Sequence, residues 1–214
     1  MKSLTVRMIL AGALALLALT PTLAPVARAA GDASPFEVSV LGGVQALNQN
    51  DTALPDHFLN VPATATVGYR LDPTWALEGE VSWLIPIKRS VDLGSGVSQD
   101  LKTPDILTYQ ANVLANLPVG GGPWSPYVTG GAGAVTFLSS TDADRYPQLA
   151  SSQTAFAINF GAGTHYALGP HWALRADYRE LAAFPAKDAA GLSKNSKADP
   201  IWMERGAVGL AYQF

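Results

Sequence analysis

From Phe36 to Phe214 the chain alternates in character with a period of two, in eight separate segments. Only a β-strand puts residues i, i+2 and i+4 on one face, so this pattern constrains the fold more than any other feature. In the first segment Phe36, Val38, Val40 and Val44 share a face opposed by Glu37, Ser39 and Gln45. Next, Ala65, Val67, Tyr69 and Leu71 oppose Thr64, Thr66 and Arg70. Trp75, Leu77, Val81 and Trp83 oppose Glu78, Glu80 and Ser82, and Tyr109, Ala111, Val113, Ala115 and Leu117 oppose Thr108, Gln110, Asn112 and Asn116. The glycine-rich fifth segment, Tyr127 to Phe137, is assigned Val135 and Phe137 on the apolar face and Thr136 on the polar one. Phe156, Ile158, Phe160, Ala162 and Tyr166 then oppose Asn159, Gly161, Gly163 and His165. Trp172, Leu174, Ala176 and Tyr178 oppose Arg175, Asp177 and Arg179. In the last segment Trp202, Val208, Leu210, Tyr212 and Phe214 oppose Arg205, Ala207, Gly209 and Gln213.

The connections alternate in length. Segments 47–62, 85–106, 138–154 and 182–200 are long and polar, whereas Asp72-Pro73-Thr74 and Leu168-Gly169-Pro170-His171 are tight turns and 118–126 is glycine-rich. Long loops at one end and short turns at the other are the signature of an all-β, eight-stranded antiparallel up-and-down transmembrane β-barrel. A partial repeat agrees: Asp72-Pro73-Thr74-Trp75-Ala76-Leu77-Glu78 matches Gly169-Pro170-His171-Trp172-Ala173-Leu174-Arg175, a turn and the strand that leaves it.

Periodicity alone does not say which face meets lipid, because a soluble barrel alternates too. Three features place the apolar face outside. Trp75, Trp172, Tyr69, Tyr127, Tyr166, Tyr212 and Phe214 fall near the short-turn end, and Trp83, Phe137, Phe156, Tyr178 and Trp202 toward the long-loop end. Two aromatic bands around an aliphatic belt match membrane interfaces. The ten residue steps from Glu204 to Phe214 climb roughly 25 Å at ~40° tilt, the height of an outer-membrane apolar band. Glu180 and Glu204 alone carry charge at apolar-face parity, both toward the long loops. Finally, the polar face balances Glu37, Glu78, Glu80 and Asp177 against Arg70, Arg175, Arg179 and Arg205, as a narrow interior requires, since buried charges must pair.

Ahead of the strands, Lys2 and Arg7 precede an apolar run from Met8 to Leu19, and Ala27-Arg28-Ala29 places small residues at a cleavage site. This reads as a secretory signal over residues 1–29, with the barrel over 30–214; the run is too short to span a bilayer. Loss of Lys2, Arg7 and Arg28 leaves 11 bases against 17 acids, a mature charge of −6. With no basic stripe, nucleic acid is not an expected partner. The chain has no cysteine, so export brings no disulfides. No other window is apolar for long enough to be a membrane helix.

The stretch Pro126-Tyr127-Val128-Thr129-Gly130-Gly131-Ala132-Gly133 and the end Val208-Gly209-Leu210-Ala211-Tyr212-Gln213-Phe214, with the leader and the eight segments, resemble the OmpA/OmpX-type outer-membrane β-barrel domain. The resemblance covers nearly all of the mature chain. It implies a cell outer membrane location with periplasmic termini, and recognition of the C-terminal strand by the outer-membrane assembly machinery. Two-domain members continue beyond the barrel; this sequence ends at Phe214, and no peptidoglycan-binding domain is expected.

The eight lumen charges, Glu37, Arg70, Glu78, Glu80, Arg175, Asp177, Arg179 and Arg205, are expected to form an ion network that plugs the barrel. Glu37 should neighbour Arg70 across the first hairpin, Glu78 should lie level with Arg175, and Asp177 should lie within reach of Arg179 and Arg205. Trp75, Trp83, Trp172, Tyr178, Trp202, Tyr212 and Phe214 are the expected interface aromatics. Enzymatic chemistry finds little footing. Of His57, His165 and His171 only His165 lies on a strand, and it is followed by Tyr166-Ala167 rather than the His-x-Ser of lipid A deacylases. Asp142 and Asp144 are a weak signal for a cation or lipopolysaccharide contact, Gly120-Gly121-Gly122 lacks the context of a phosphate loop, and Glu78 and Glu80 lack the cleft of a glycosidase pair. No cofactor or metal is expected. The reading is a monomeric structural or surface-interaction barrel with lipid and lipopolysaccharide around it; the alternatives are a narrow channel for small solutes and, behind it, a lipid A-modifying enzyme.

Overall fold

The computed structural model describes residues 34–48, 57–86, 89–92, 98–101, 105–118, 122–138, 152–184 and 200–214. The signal segment, Gly120, Gly121, Asp142, Asp144 and most of the long connections lie outside these residues. Among the described residues ten strands occur: β1 (Phe36–Asn48), β2 (His57–Arg70), β3 (Trp75–Pro86), β4 (Arg89–Asp92), β5 (Ser98–Leu101), β6 (Ile106–Asn116), β7 (Trp124–Phe137), β8 (Gln153–Ala167), β9 (Trp172–Phe184) and β10 (Ile201–Gln213). Eight of them close a barrel in the order β1-β10-β9-β8-β7-β6-β3-β2, while β4 and β5 form a separate two-stranded sheet. Every barrel pairing is antiparallel, and β1 with β10 seals the ring from Glu37 opposite Gln213 to Asn48 opposite Trp202. Closure leaves no edge strand, which is what makes a sheet viable in lipid.

Two differences from the sequence reading concern the long-loop end. β2 begins at His57, because Leu59 and Val61 continue the outward row and Asn60 and Pro62 the inward one. Pro62, which halts a strand in a sequence reading, faces Gly43 where the β1–β2 ladder skips two pairs, so its missing N–H costs no rung. The segment 85–106 also carries the β4–β5 hairpin, whose short strands lack a long alternating signature.

Both tight turns form as expected. Asp72 Oδ1 accepts from the amides of Thr74 (2.7 Å) and Trp75 (2.8 Å), the side-chain-closed turn for which aspartate is suited. Leu71 and Leu168 each donate backbone N–H to the carbonyl of the Trp that opens the next strand, at 2.9 Å in both cases. The repeated sequence is thus a repeated turn.

The apolar face points outward. Val40 is 70% exposed and Val67 56%, whereas their neighbours Ser39 and Thr66 are buried. β7 corrects the reading of the fifth segment: Tyr127, Thr129, Val135 and Phe137 face inward, and Val128 faces out. Thr136 lies on the outer wall, hydrogen-bonded to the Tyr109 hydroxyl (2.7 Å) and Thr154 (2.8 Å). The cause is the run Gly130-Gly131-Ala132-Gly133-Ala134, which shows no polar–apolar contrast, so that hydrophobicity alone points Val135 and Phe137 outward.

Val135 and Phe137 belong to an apolar layer inside the barrel. Together with Leu84, Ile106, Ala155, Ala157, Leu181, Ala183, Ile201 and Met203 they fill the lumen at its long-loop end. Lower down, Tyr127 lies over Gly163, where a Cβ would run into its ring and hydroxyl. Glycine at 163 is therefore a steric requirement. Gly163→Val should destabilise the barrel by about 1–3 kcal/mol, measured as a shift of the urea unfolding transition in lipid bilayers, and Tyr127→Ala should relieve only part of that loss, because the added Cβ also comes within 2.6 Å of the Ala176 carbonyl oxygen.

Candidate functional site

The interior divides into tiers because successive inward residues on each strand rise by two positions. The middle tier is ionic. Glu78 and Glu80 project from β3, Arg175, Asp177 and Arg179 from β9, and Arg205 from β10; all six are buried. β3 and β9 lie across the ring from one another, so the acids of one strand meet the bases of the other over the axis.

The geometry is closely connected. Arg175 pairs with Glu78 at 2.6 Å and with Asp177 at 3.2 Å. Arg179 reaches Glu78 (2.7 Å), Glu80 (3.1 Å) and Asp177 (2.8 Å). Arg205 pairs with Glu80 at 2.7 Å and approaches Asp177 at 3.5 Å. Three acids and three bases thus cancel. Neutral groups extend the cluster: the Tyr127 hydroxyl donates to Asp177 Oδ2 (2.7 Å) and accepts from Arg175 Nε (2.9 Å). Asn112 donates to Glu78 (3.0 Å), and Asn159 donates to Gln110 (3.0 Å) and Asn112 (2.8 Å). The sequence places Tyr127 at the lipid interface; its phenol instead bridges two buried charges, Asp177 and Arg175.

Glu37 and Arg70 do not form the expected pair. Glu37 faces Gly68 across the β1–β2 ladder, two residues from Arg70, and its partner is His165 of β8 at 3.1 Å. Arg70 makes no side-chain hydrogen bond or ion pair among the described residues. Ser125 stands directly opposite His165 in the β7–β8 ladder, so a serine, a histidine and a carboxylate share one place. No hydrogen bond joins Ser125 to His165 among the described residues. Glu37, Arg70, Ser125, His165 and Glu78 line a cavity of about 590 Å³ at the short-turn end, a vestibule that sequence reasoning did not anticipate. Its walls come from β1, β2, β3, β6, β7 and β8 and the turns beside them, which only the curling of the sheet into a ring brings together, so local sequence cannot reveal it.

Of the expected interface aromatics, Trp75, Trp172 and Phe214 are exposed at the short-turn end, and Trp83 and Trp202 are exposed toward the long loops. Tyr212 packs edge-on against both Trp172 (4.9 Å) and Phe214 (5.1 Å). Tyr178 departs from the expected banding: it sits midway along β9, its hydroxyl donating to Glu180 at 3.2 Å, so a carboxylate satisfies it without an interface. Glu180 and Glu204 face each other across β9 and β10. His171 Nδ1 lies 2.9 Å from the Gln213 carbonyl oxygen in the short-turn rim; the His57 side chain lies outside the described residues. Among the described residues no cluster of three or more His, Asp or Glu could hold a metal ion.

A closed antiparallel barrel, apolar outside and charge-balanced within, is a transmembrane β-barrel of the outer-membrane kind. The chain belongs to the outer membrane protein beta-barrel domain family, whose model matches residues 11–214. Among solved structures it resembles Neisserial surface protein A, with a TM-score of 0.56 at 14% identity, covering 85% of this chain and 99% of that one. It also resembles the N-terminal β-barrel domain of Pseudomonas aeruginosa OprF, with a TM-score of 0.50 at 14% identity, covering 86% and 100%. Identities this low speak for the fold alone. No curated protein matches the sequence.

Removing one member of a buried pair leaves its partner charged and unsolvated, which costs about 3–5 kcal/mol. Glu80→Leu and Arg205→Met should each destabilise on that scale. The double variant should lose clearly less than the sum of the two. Equilibrium unfolding of all three in bilayers checks this, and additive losses would mean the pair is not coupled.

Proposed function

We propose that this protein is a non-conducting, non-enzymatic outer-membrane barrel with a structural and surface-interaction role. In this reading residues 1–29 are removed on export, both termini lie in the periplasm, and the four long loops face outward toward lipopolysaccharide or a partner. The assembly machinery engages the C-terminal strand, whose outward Val208, Leu210 and Phe214 alternate with inward Ala207, Ala211 and Gln213. The barrel acts as a monomer.

One observation supports this reading: an ionic tier and an apolar tier of side chains are both buried inside the barrel. An ion crossing it would have to displace the paired tier of Glu78, Glu80, Arg175, Asp177, Arg179 and Arg205 and then enter the apolar tier around Phe137 and Met203. An eight-stranded barrel leaves an interior just wide enough for side chains. Desolvating an ion against an apolar tier costs several kcal/mol more.

The narrow-channel alternative draws on a specific feature. Gln110 Nε2, Thr129 Oγ1 and Asn159 Oδ1 are buried without hydrogen-bond partners among the described residues, a polar strip along β6, β7 and β8. That strip ends beneath Ile106, Val135 and Ala157, so the plugged reading is preferred. Lipid A chemistry has less support, because Ser125, the serine opposite His165, makes no hydrogen bond to it.

Planar bilayer recordings test the choice. The wild-type barrel should show no stable large conductance, and sealed liposomes containing it should retain small sugars. A steady open state that Arg175→Ala scarcely alters would reject the plug.

A further inference from the structure

The vestibule holds more unused hydrogen-bond donors than acceptors. Its carboxylates are engaged: Glu37 pairs with His165 and accepts from Ser39 (3.4 Å), while Glu78 at the floor is neutralised by Arg175 and Arg179. The donors are not. Arg70, half-buried in the wall, has no acceptor among the described residues, and neither has the Ser125 hydroxyl. Asn116 makes one long contact, 3.4 Å to the Pro73 carbonyl. Beside them Leu114 supplies an apolar wall.

We propose that this vestibule binds a small organic carboxylate, with Arg70 gripping the carboxylate, Ser125 and Asn116 donating to it, and the apolar body against Leu114. A guanidinium presents two parallel N–H groups at the spacing of a carboxylate, and such bidentate pairs are the stronger kind of hydrogen bond. The volume, about 590 Å³, lies within the range of small-molecule sites. The cavity reaches the ionic tier at Glu78, which lies in its lining. A cationic ligand is disfavoured, because it would face the Arg70 guanidinium, which Glu37 attracts only from beyond contact distance. The inference goes beyond the proposed structural role and does not depend on it, since ligand binding at the short-turn end is compatible with either a plugged or a leaky lumen.

The test uses the full mature barrel refolded in lipid nanodiscs and titrated with benzoate, with benzylammonium and inorganic phosphate as separate arms. NMR signals of the Ser125 amide and His165 ring report occupancy. Benzoate should shift both saturably, benzylammonium should not, and phosphate should bind at least tenfold more weakly for want of an apolar body. Arg70→Gln should weaken benzoate at least tenfold, with Arg70→Lys recovering part of the loss; the urea transition checks that both variants remain folded. Absence of a saturable shift, equal binding by Arg70→Gln, or phosphate matching benzoate would overturn the proposal. So would a response that appears only after deletion of residues 30–33, since the chain's own leading segment, with Asp32, would then be the occupant.

Discussion

Pairing of buried charges is the constraint on which this structure rests. Glu78, Glu80 and Asp177 are buried in a ring of eight strands, and each would be prohibitively costly without a guanidinium within contact distance. Arg175, Arg179 and Arg205 supply them. Their geometry in turn requires the Tyr127 phenol as a bridge, Gly163 beneath its ring, and the Asn112 and Asn159 amides as outer partners. The barrel exterior is permissive by comparison, since any aliphatic or aromatic residue suffices against lipid tails.

Tiering gives the interior three different chemistries. Near the long loops it is apolar, at mid-height ionic, and at the short-turn end an open cavity with its own Glu37–His165 pair. Each tier is set by which inward positions the strands supply at that height, and no single strand contains all three. The same scaffold therefore separates environments: apolar packing above, ion pairs in the middle, and a polar cavity below.

Much of this was legible in the sequence because both requirements leave a trace at period two. Where polar and apolar residues alternate cleanly, as in Trp75–Trp83 and Trp172–Arg179, the face of each residue followed, and so did the depth match of Glu78 with Arg175. The matching Trp-Ala-Leu turns fixed the common starting level of β3 and β9. What stayed hidden had physical causes. Glycine and alanine in β7 show no contrast, and an apolar tier inside the barrel made Val135 and Phe137 resemble lipid-facing residues. Register across the first hairpin is two residues from the expected one, because loop length does not fix where pairing stops, and Pro62 masked the start of β2. Glu37 finds His165 only through closure of the ring, a contact between strands that are not neighbours.

Because the chain lacks cysteine, one measurement can interrogate the filled interior directly. Single cysteines at Ala207 and Ala211, which face inward, and at Val208 and Leu210, which face outward, would be exposed in bilayers to a water-soluble and to a lipid-soluble thiol reagent. Ala207 lies level with Asp177, in the ionic tier. The filled lumen predicts that position 207 resists both reagents while 208 and 210 react with the lipid-soluble one alone. Rapid aqueous labelling at 207 would mean that water fills the axis, and the account of a sealed, ion-braced barrel would be wrong.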